Sequence, residues 1–324
     1  MRTILVTGAA GYIGSVLVKQ LLEKKYKVIG FDILNFGGES LLSVYNHPNF
    51  KFIKGDIRIK NDIEPLLNGV DAVVHLAAIV GDPACAKQPT IAEETNWKAS
   101  KMLFNLSHEK ANIKKFIFAS TCSNYGKMDG DGFVDENSPL KPVSLYAKLK
   151  VQFENYITEH ETRSDFCVTT LRFATVYGIS PRIRFDLTVN EFIRELTFGR
   201  ELVIFGEQFW RPYCHVEDLA RACIIVLEAD ANKVNNQVFG VGDTKENYQK
   251  KMLAEIMSKI IPNSKIKYVH KEDDPRDYRV SFAKIYNELG FTITRRIHGS
   301  VENLYKFLKD GMLLNPYDTR YQNI

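Results

Sequence analysis

Tyr146 and Lys150 stand four residues apart in Tyr146-Ala147-Lys148-Leu149-Lys150. On a helix that spacing puts a phenol and an ammonium on one face, one turn apart. A free phenol loses its proton near pH 10, too high for a base at neutral pH. A nearby ammonium and a positive nicotinamide favour the phenolate and lower that value. Tyr146 could then take a proton from a hydroxyl while the carbon bearing it is oxidised. Alone, the pair is more often a solvated helix face, so it needs a site around it. The run Ser120-Thr121-Cys122-Ser123 supplies one. It follows the apolar stretch 115–119, which reads as a strand, and strand C-terminal ends border the ligand crevice of an open α/β sheet. A hydroxyl there can bond the reacting oxygen and share its proton with Tyr146. Thr121 is the first choice and Ser123 the second, the alternative being an ordinary Ser/Thr turn. No histidine lies near Cys122 in sequence, so it reads as a small buried packing group.

Oxidation needs an acceptor, and Thr7-Gly8-Ala9-Ala10-Gly11-Tyr12-Ile13-Gly14 points to one. This glycine-rich turn follows the short apolar run at 3–6 and leads into Val16-Leu17-Val18-Lys19-Gln20-Leu21-Leu22, which has helical spacing. Such a turn presents bare N–H groups and a helix N-terminus to a diphosphate. Gly8 permits the tight turn, Gly11 lets a pyrophosphate approach, and Gly14 lets the helix pack close to the sheet. A glycine pattern by itself is weak. Here Asp32 ends the second apolar run, 24 residues after Gly8, close to the roughly 20-residue spacing of a ribose-binding carboxylate. Asp32 would accept from the adenosine ribose hydroxyls and repel a 2′-phosphate, which favours NAD over NADP. The alternative is a strand-end aspartate capping a loop.

The elements that must carry these groups follow from periodicity. Strands are expected near 3–7, 27–32, 50–54, 71–76, 114–120 and 167–172, with helices near 12–24, 60–67, 90–111 and 144–161 between them. Strands separated by helices imply a parallel sheet with right-handed crossovers. After Gly178 the rhythm changes: a loop at 179–184, a helix near 186–199 and a short strand at 202–205. A helix near 217–229 and a strand at 237–241 return to the first unit. The expected fold is α/β, a Rossmann-type doubly wound parallel sheet with a smaller C-terminal α/β substrate lobe. Residues 1–178 and 216–241 would form the cofactor domain, and 179–215 with 242–324 the lobe, with the site in a cleft between them.

Composition narrows the class. With 324 residues the chain can bury a large core. Its 45% hydrophobic and 25% charged residues are those of an ordinary globular protein. A net charge of +4, spread along the chain, gives no reason to expect nucleic acid. Cys85, Cys122, Cys167, Cys214 and Cys223 are odd in number and widely spaced, without a Cys-x-x-Cys. They suggest neither a metal site nor a disulfide framework, and reduced thiols fit a cytoplasmic protein. The first strand begins at the N-terminus, so no signal peptide is expected, and no run reaches the roughly 20 apolar residues of a membrane span.

With these motifs in hand, the chain resembles the extended short-chain dehydrogenases/reductases, in the branch of NAD-dependent nucleotide-sugar epimerases and dehydratases. The likeness runs nearly end to end: Thr-Gly-x-x-Gly-x-x-Gly at 7–14, Gly55-Asp56-Ile57, His75-Leu76-Ala77-Ala78, Asn96, Ser120-Thr121, Tyr146 with Lys150, Leu171-Arg172-Phe173, and 211–220. It implies that Asp56 and Ile57 hold the adenine, that Ala77 and Ala78 line the dinucleotide, and that Asn96 braces the site through the backbone. Lys150 would also bond the nicotinamide ribose. Tyr12, Ile13, Leu76 and Ser120 would complete the cofactor contacts. On the substrate side, Thr175 stands where the family usually has an asparagine that bonds the diphosphate. Asn190 resembles a residue near the nucleotide, Arg211 the arginine that grips the diphosphate, and Arg276 a further contact in the small lobe. Guanidinium forks suit phosphate oxygens, although each arginine alone would read as a surface ion pair.

The resemblance implies hydride removal from the sugar, usually at C4. The family's dehydratases place Asp-Glu after the catalytic threonine, and its decarboxylases a Glu nearby. Here Cys122 and Ser123 stand in that place, so 4-epimerase or 4-dehydrogenase ranks first. The run 172–181 is similar to members that make surface-polysaccharide sugars. Dehydratase or reductase, a small-molecule dehydrogenase without a nucleotide substrate, and a catalytically silent NAD-binding protein are the alternatives. Family members commonly dimerise through the helices expected here at 90–111 and 144–161, so a homodimer is expected. No membrane partner is expected.

Overall fold

The computed structural model describes residues 2–128, 130–272, 274 and 276–323. The chain runs β1 (Thr3–Thr7), α1 (Gly14–Glu23), β2 (Lys27–Asp32), β3 (Phe50–Lys54), α2 (Lys60–Ile63) and β4 (Ala72–His75). Next come α3 (Asp82–Lys87), α4 (Pro89–Glu93), α5 (Ser100–Glu109), β5 (Lys115–Thr121), α6 (Leu145–Glu159) and β6 (Cys167–Phe173). The second half holds β7 (Thr175–Tyr177), α7 (Thr188–Thr197), β8 (Glu201–Phe205), β9 (Trp210–His215), α8 (Val216–Glu228), α9 (Ala231–Val234) and β10 (Gln237–Val241). The last elements are β11 (Asn247–Gln249), α10 (Lys250–Ile260), β12 (Lys265–Val269), α11 (Ala283–Leu289) and α12 (Ile297–Lys309).

Seven parallel strands form one sheet in the order β10-β6-β5-β4-β1-β2-β3. From β1 the chain winds outward through β2 and β3, then returns to lay β4 on the other side and proceeds to β5, β6 and β10. The reversal lies between β1 and β4, and in such sheets ligands bind outside the strand ends at that point. The glycine turn leaves β1 there, and the 76–79 segment leaves β4.

Alternation along the strands builds a core on each face. Ile4, Val6 and Val74 pack with Leu17, Leu21, Leu219 and Val226 of α1 and α8. Leu5, Val73, Phe116 and Phe118 pack with Phe104 and Phe153 of α5 and α6. A separate core joins Tyr177, Phe192, Leu202, Met257, Val301 and Leu304 beneath two small sheets, β11-β9-β7 and β12-β8. Residues 278–291 send Tyr278, Val280, Phe282, Ile285 and Phe291 into the first core.

Two expected helices differ. Over 60–67 there is one α-turn, after which Glu64–Gly69 continues as a 3₁₀ helix with a proline in its first turn. Over 90–111, α4 and α5 are separated by the π-helical turn Glu94–Ala99. That widened turn carries Asn96, whose side-chain oxygen accepts from Ile79 N at 2.8 Å and whose amide donates to Ile79 O at 2.9 Å. Such bulges frequently mark functional positions. Among the described residues no helix is long and apolar enough to cross a membrane, and no cluster of His, Cys, Asp and Glu could hold a metal. All five cysteines are buried and free.

Candidate active site

The glycine turn closes on backbone with no room for side chains. Gly8 has φ +73°, and a Cβ there would lie 2.8 Å from Ala77 N. A Cβ on Gly14 would meet Gly8 O at 2.0 Å. Gly14 is thus required by the turn's own carbonyl, more directly than by the helix-to-sheet contact expected from sequence. No side chain caps α1 at Ile13, and an uncapped helix N-terminus suits an anion. The Asp32 carboxylate accepts from Ala10 N at 3.0 Å and Leu34 N at 2.8 Å. Burial pushes it up, and these two bonds oppose that shift. Asp32 therefore braces the turn while its remaining lone pairs stay available to a ribose. A tight turn that admits only glycine at positions 8 and 14, an uncapped helix end and a strand-end carboxylate suit a dinucleotide.

Beside this cradle, Ala77 N is held by Thr7 Oγ1 at 3.3 Å and Leu76 N by Thr7 O at 3.2 Å. Ala78 is partly exposed in the same segment. Asp56 pairs with Arg58 at 2.6 Å, next to a groove lined by Arg58, Glu94, Lys98 and Met102. Ile57 is buried beneath it. Ser120 is buried, and its hydroxyl donates to Glu154 at 2.9 Å, so the side chain faces the core.

Tyr146 and Lys150 do share a face of α6, with Lys150 Nζ 5.8 Å from the Tyr146 ring centre. Lys150 is buried, lies over the Phe118 ring, and donates to Ala119 O at 2.7 Å. Burial lowers its ammonium to about 7. Burial also pushes the Tyr146 phenol up, with Cys85 and Asp82 adding to the shift and Arg184 opposing it. The lowering expected from Lys150 together with a positive nicotinamide would act against this burial. Thr121 is nearly buried and its Oγ1 accepts from Ser123 N at 3.1 Å. That bond occupies an acceptor position and leaves the Thr121 O–H to donate. The Cys122 thiol donates to Arg172 O at 3.3 Å and is pushed up by burial, as a packing residue would be.

The substrate-side residues divide. Arg211 donates to Asp274 at 3.1 Å, and Arg276 to Asp82 of α3 at 2.6 Å. The two arginines therefore reach the strand-end region already paired with carboxylates. Thr175 is half-buried on β7. Asn190 is fully buried, its oxygen accepts from Gly178 N at 2.9 Å, and its amide donates to Arg184 O at 2.9 Å. With Tyr12, whose hydroxyl donates to Gly178 O, it fixes the 178–184 turn.

Tyr278 escaped the sequence reading. Its buried phenol bonds the Ser123 side chain and is pushed up to about 12. The Arg211 guanidinium lies 5.3 Å from its ring. Asp82, whose charge reaches Tyr146, was missed too. Each acts across more than a hundred residues of sequence or from an unexpected helix, so no local pattern marks it.

A model of the NAD dependent epimerase/dehydratase family matches residues 4–242. The chain is 36% identical over 237 residues to the uncharacterized UDP-glucose epimerase YtcB of Bacillus subtilis (strain 168), covering 69% of this chain and 72% of that protein. Among solved structures, UDP-glucose 4-epimerase of Thermotoga maritima, with UDP-glucose, superposes with TM-score 0.85 at 26% identity over 96% of this chain and all of that one. UDP-glucuronic acid 4-epimerase of Bacillus cereus, in complex with UDP-glucuronic acid and NAD, gives TM-score 0.82 at 27% identity over 95% of this chain and 99% of that one.

Proposed function

The chain belongs to the NAD-dependent epimerase/dehydratase family, and from that premise we propose that it oxidises C4 of a nucleoside-diphosphate sugar, acting as a 4-epimerase or a 4-dehydrogenase. The observation that carries this reading is the Tyr146–Lys150 pair on α6 together with the Thr121 hydroxyl, whose acceptor side is tied to Ser123 N. Held on the glycine turn, NAD supplies acceptance and return of hydride at the sugar carbon. Thr121 donates to the reacting oxygen, and Tyr146 Oη takes its proton and later gives one back. Lys150 holds positive charge one helical turn away and offers donors to the nicotinamide ribose.

Arg211 and Arg276 take the diphosphate, exchanging one carboxylate partner each for phosphate oxygens. Thr175 adds a hydroxyl on the same side. The residues after Thr121 are a packed thiol and a hydroxyl bonded to Tyr278. Neither is a carboxylate fit for the proton transfers of 4,6-dehydration, which favours epimerisation or simple oxidation. Residues 1–178 with 216–241 serve the cofactor, and 179–215 with 242–324 the substrate. We further assign the enzyme to the cytoplasm, to surface-polysaccharide sugar synthesis, and to a homodimer formed through α5 and α6.

The test is to denature the purified protein and identify released small molecules by mass spectrometry, then incubate it with UDP- and dTDP-hexoses and follow C4 by NMR. Retained NAD and a C4-inverted or C4-oxidised product are expected. A 4-keto-6-deoxy product would replace this reading with dehydration, and the absence of turnover with every nucleotide sugar would overturn it.

A further inference from the structure

Arg182 lies in the loop between β7 and α7, within the segment expected to serve the substrate. It is 7% exposed, yet its Nε and Nη1 are buried without a hydrogen-bond partner. Among the described residues only Nη2 is engaged, donating to Gln322 O at 3.1 Å. Buried donors are nearly always satisfied, so two idle nitrogens on one guanidinium require an explanation.

The loop is anchored to the cofactor cradle. Ser180 Oγ donates to Tyr12 O at 2.7 Å and lies 3.3 Å from Ser15 Oγ, so residue 180 sits on the first turn of α1. Arg182 N is tied back to Ser180 Oγ at 3.3 Å. From there the guanidinium extends to the second strand's end. Its Cζ is 4.1 Å from the Phe36 ring centre, and the charges of Asp32 and Arg182 reach one another. The arginine thus spans from the uncapped N-terminus of α1 to the ribose-facing carboxylate. Stacking on Phe36 holds the plane of the fork but leaves its N–H edge unsatisfied. Burial and the like charge of Arg184 lower its affinity for its proton, a strain that an anion would relieve.

We propose that Arg182 is a cofactor-binding residue that grips the diphosphate of the dinucleotide from the substrate-side loop, opposite the glycine turn. The assignment rests on the dinucleotide reading above and adds to it a contact from outside the glycine motif. It also makes cofactor retention depend on the loop that Asn190 fixes.

Calorimetric titration of the cofactor-stripped protein with NAD, ADP and adenosine tests this, comparing wild type with R182M and R182K. In R182M, NAD and ADP should bind about tenfold to a hundredfold more weakly, the range of a charge-assisted hydrogen bond, while adenosine changes less than threefold. R182K should recover part of the loss, and the wild-type advantage should shrink as salt rises. Unchanged NAD affinity overturns the proposal. So does an equal loss for adenosine, since that is the mark of a mere counter-charge to Asp32. If R182M does not fold, R182K decides by the same ADP-to-adenosine contrast. A wild type that binds ADP but no NAD refutes the dinucleotide reading separately.

Discussion

Glu154–Arg172 and Arg182 are both buried and charged, but they are built differently. At the ends of β5 and β6, every Arg172 nitrogen is partnered by Glu154, Tyr125 Oη or Glu136 O, and both Glu154 oxygens are engaged. The charges of that region are matched without a ligand. Arg182 is not, and Arg211 and Arg276 are held by the carboxylates of Asp274 and Asp82. Closed charge networks fix strand ends, because a buried ion must be paired. Open or exchangeable ones are what an anionic ligand can use. The two regions should therefore fail differently when altered: one through folding, the other through binding and turnover.

The largest effect is expected from Tyr146→Phe. Removing the proton acceptor should lower kcat by about a hundredfold to ten-thousandfold, while the melting temperature stays within about 2 °C of wild type. A collapse in stability would erase the distinction between the regions. Glu154→Ala should do the reverse. It leaves the Arg172 guanidinium buried and uncompensated, at a cost of about 3–5 kcal/mol in urea unfolding. The double replacement E154L/R172M should regain most of that loss. A Glu154→Ala protein as stable as wild type would mean that the network holds nothing.

Arg211 is a subtler case, since it is both paired and exchangeable. Arg211→Met should raise the KM for a nucleotide sugar about tenfold to a hundredfold, with kcat changed less than threefold. Loss of kcat alone would move Arg211 from the diphosphate to the chemistry.

The same contrast explains what could be read from the sequence. The glycine turn, Asp32 and the Tyr146–Lys150 pair are local: each is a short spacing on one or two adjacent predicted elements, and the parallel sheet followed from strands alternating with helices. What was missed is long-range. Arg276 meets Asp82 across 194 positions, and Tyr278 meets Ser123 from the other end of the chain. The π-turn at Asn96 was invisible because its cause is a bond to Ile79, outside the helix. For Asn190 and Ser120 the resemblance marks a position but not which way its side chain turns, and both side chains turn inward. Arg182 gave no signal until its unpaired nitrogens were seen.

His75 tests the closed region through pH. It is buried, with Nδ1 2.8 Å from Thr7 Oγ1 and Nε2 2.9 Å from Ser100 Oγ. Burial, then the nearby Lys150 charge, holds its imidazole down to about 3 against an ordinary 6.5. The unfolded chain takes up a proton below pH 6.5 that the folded chain refuses until near pH 3. Stability contributed by neutral His75 is therefore complete above pH 6.5 and lost as pH falls toward 3. Between pH 7 and pH 5 the loss should be about 2 kcal/mol. His75→Asn cannot titrate, so its unfolding free energy should fall by that much less over the same interval, whatever its absolute stability. Parallel pH profiles for the two proteins would mean that the imidazole accepts its proton in place, and that the Thr7–His75–Ser100 chain is as open as the cofactor loop.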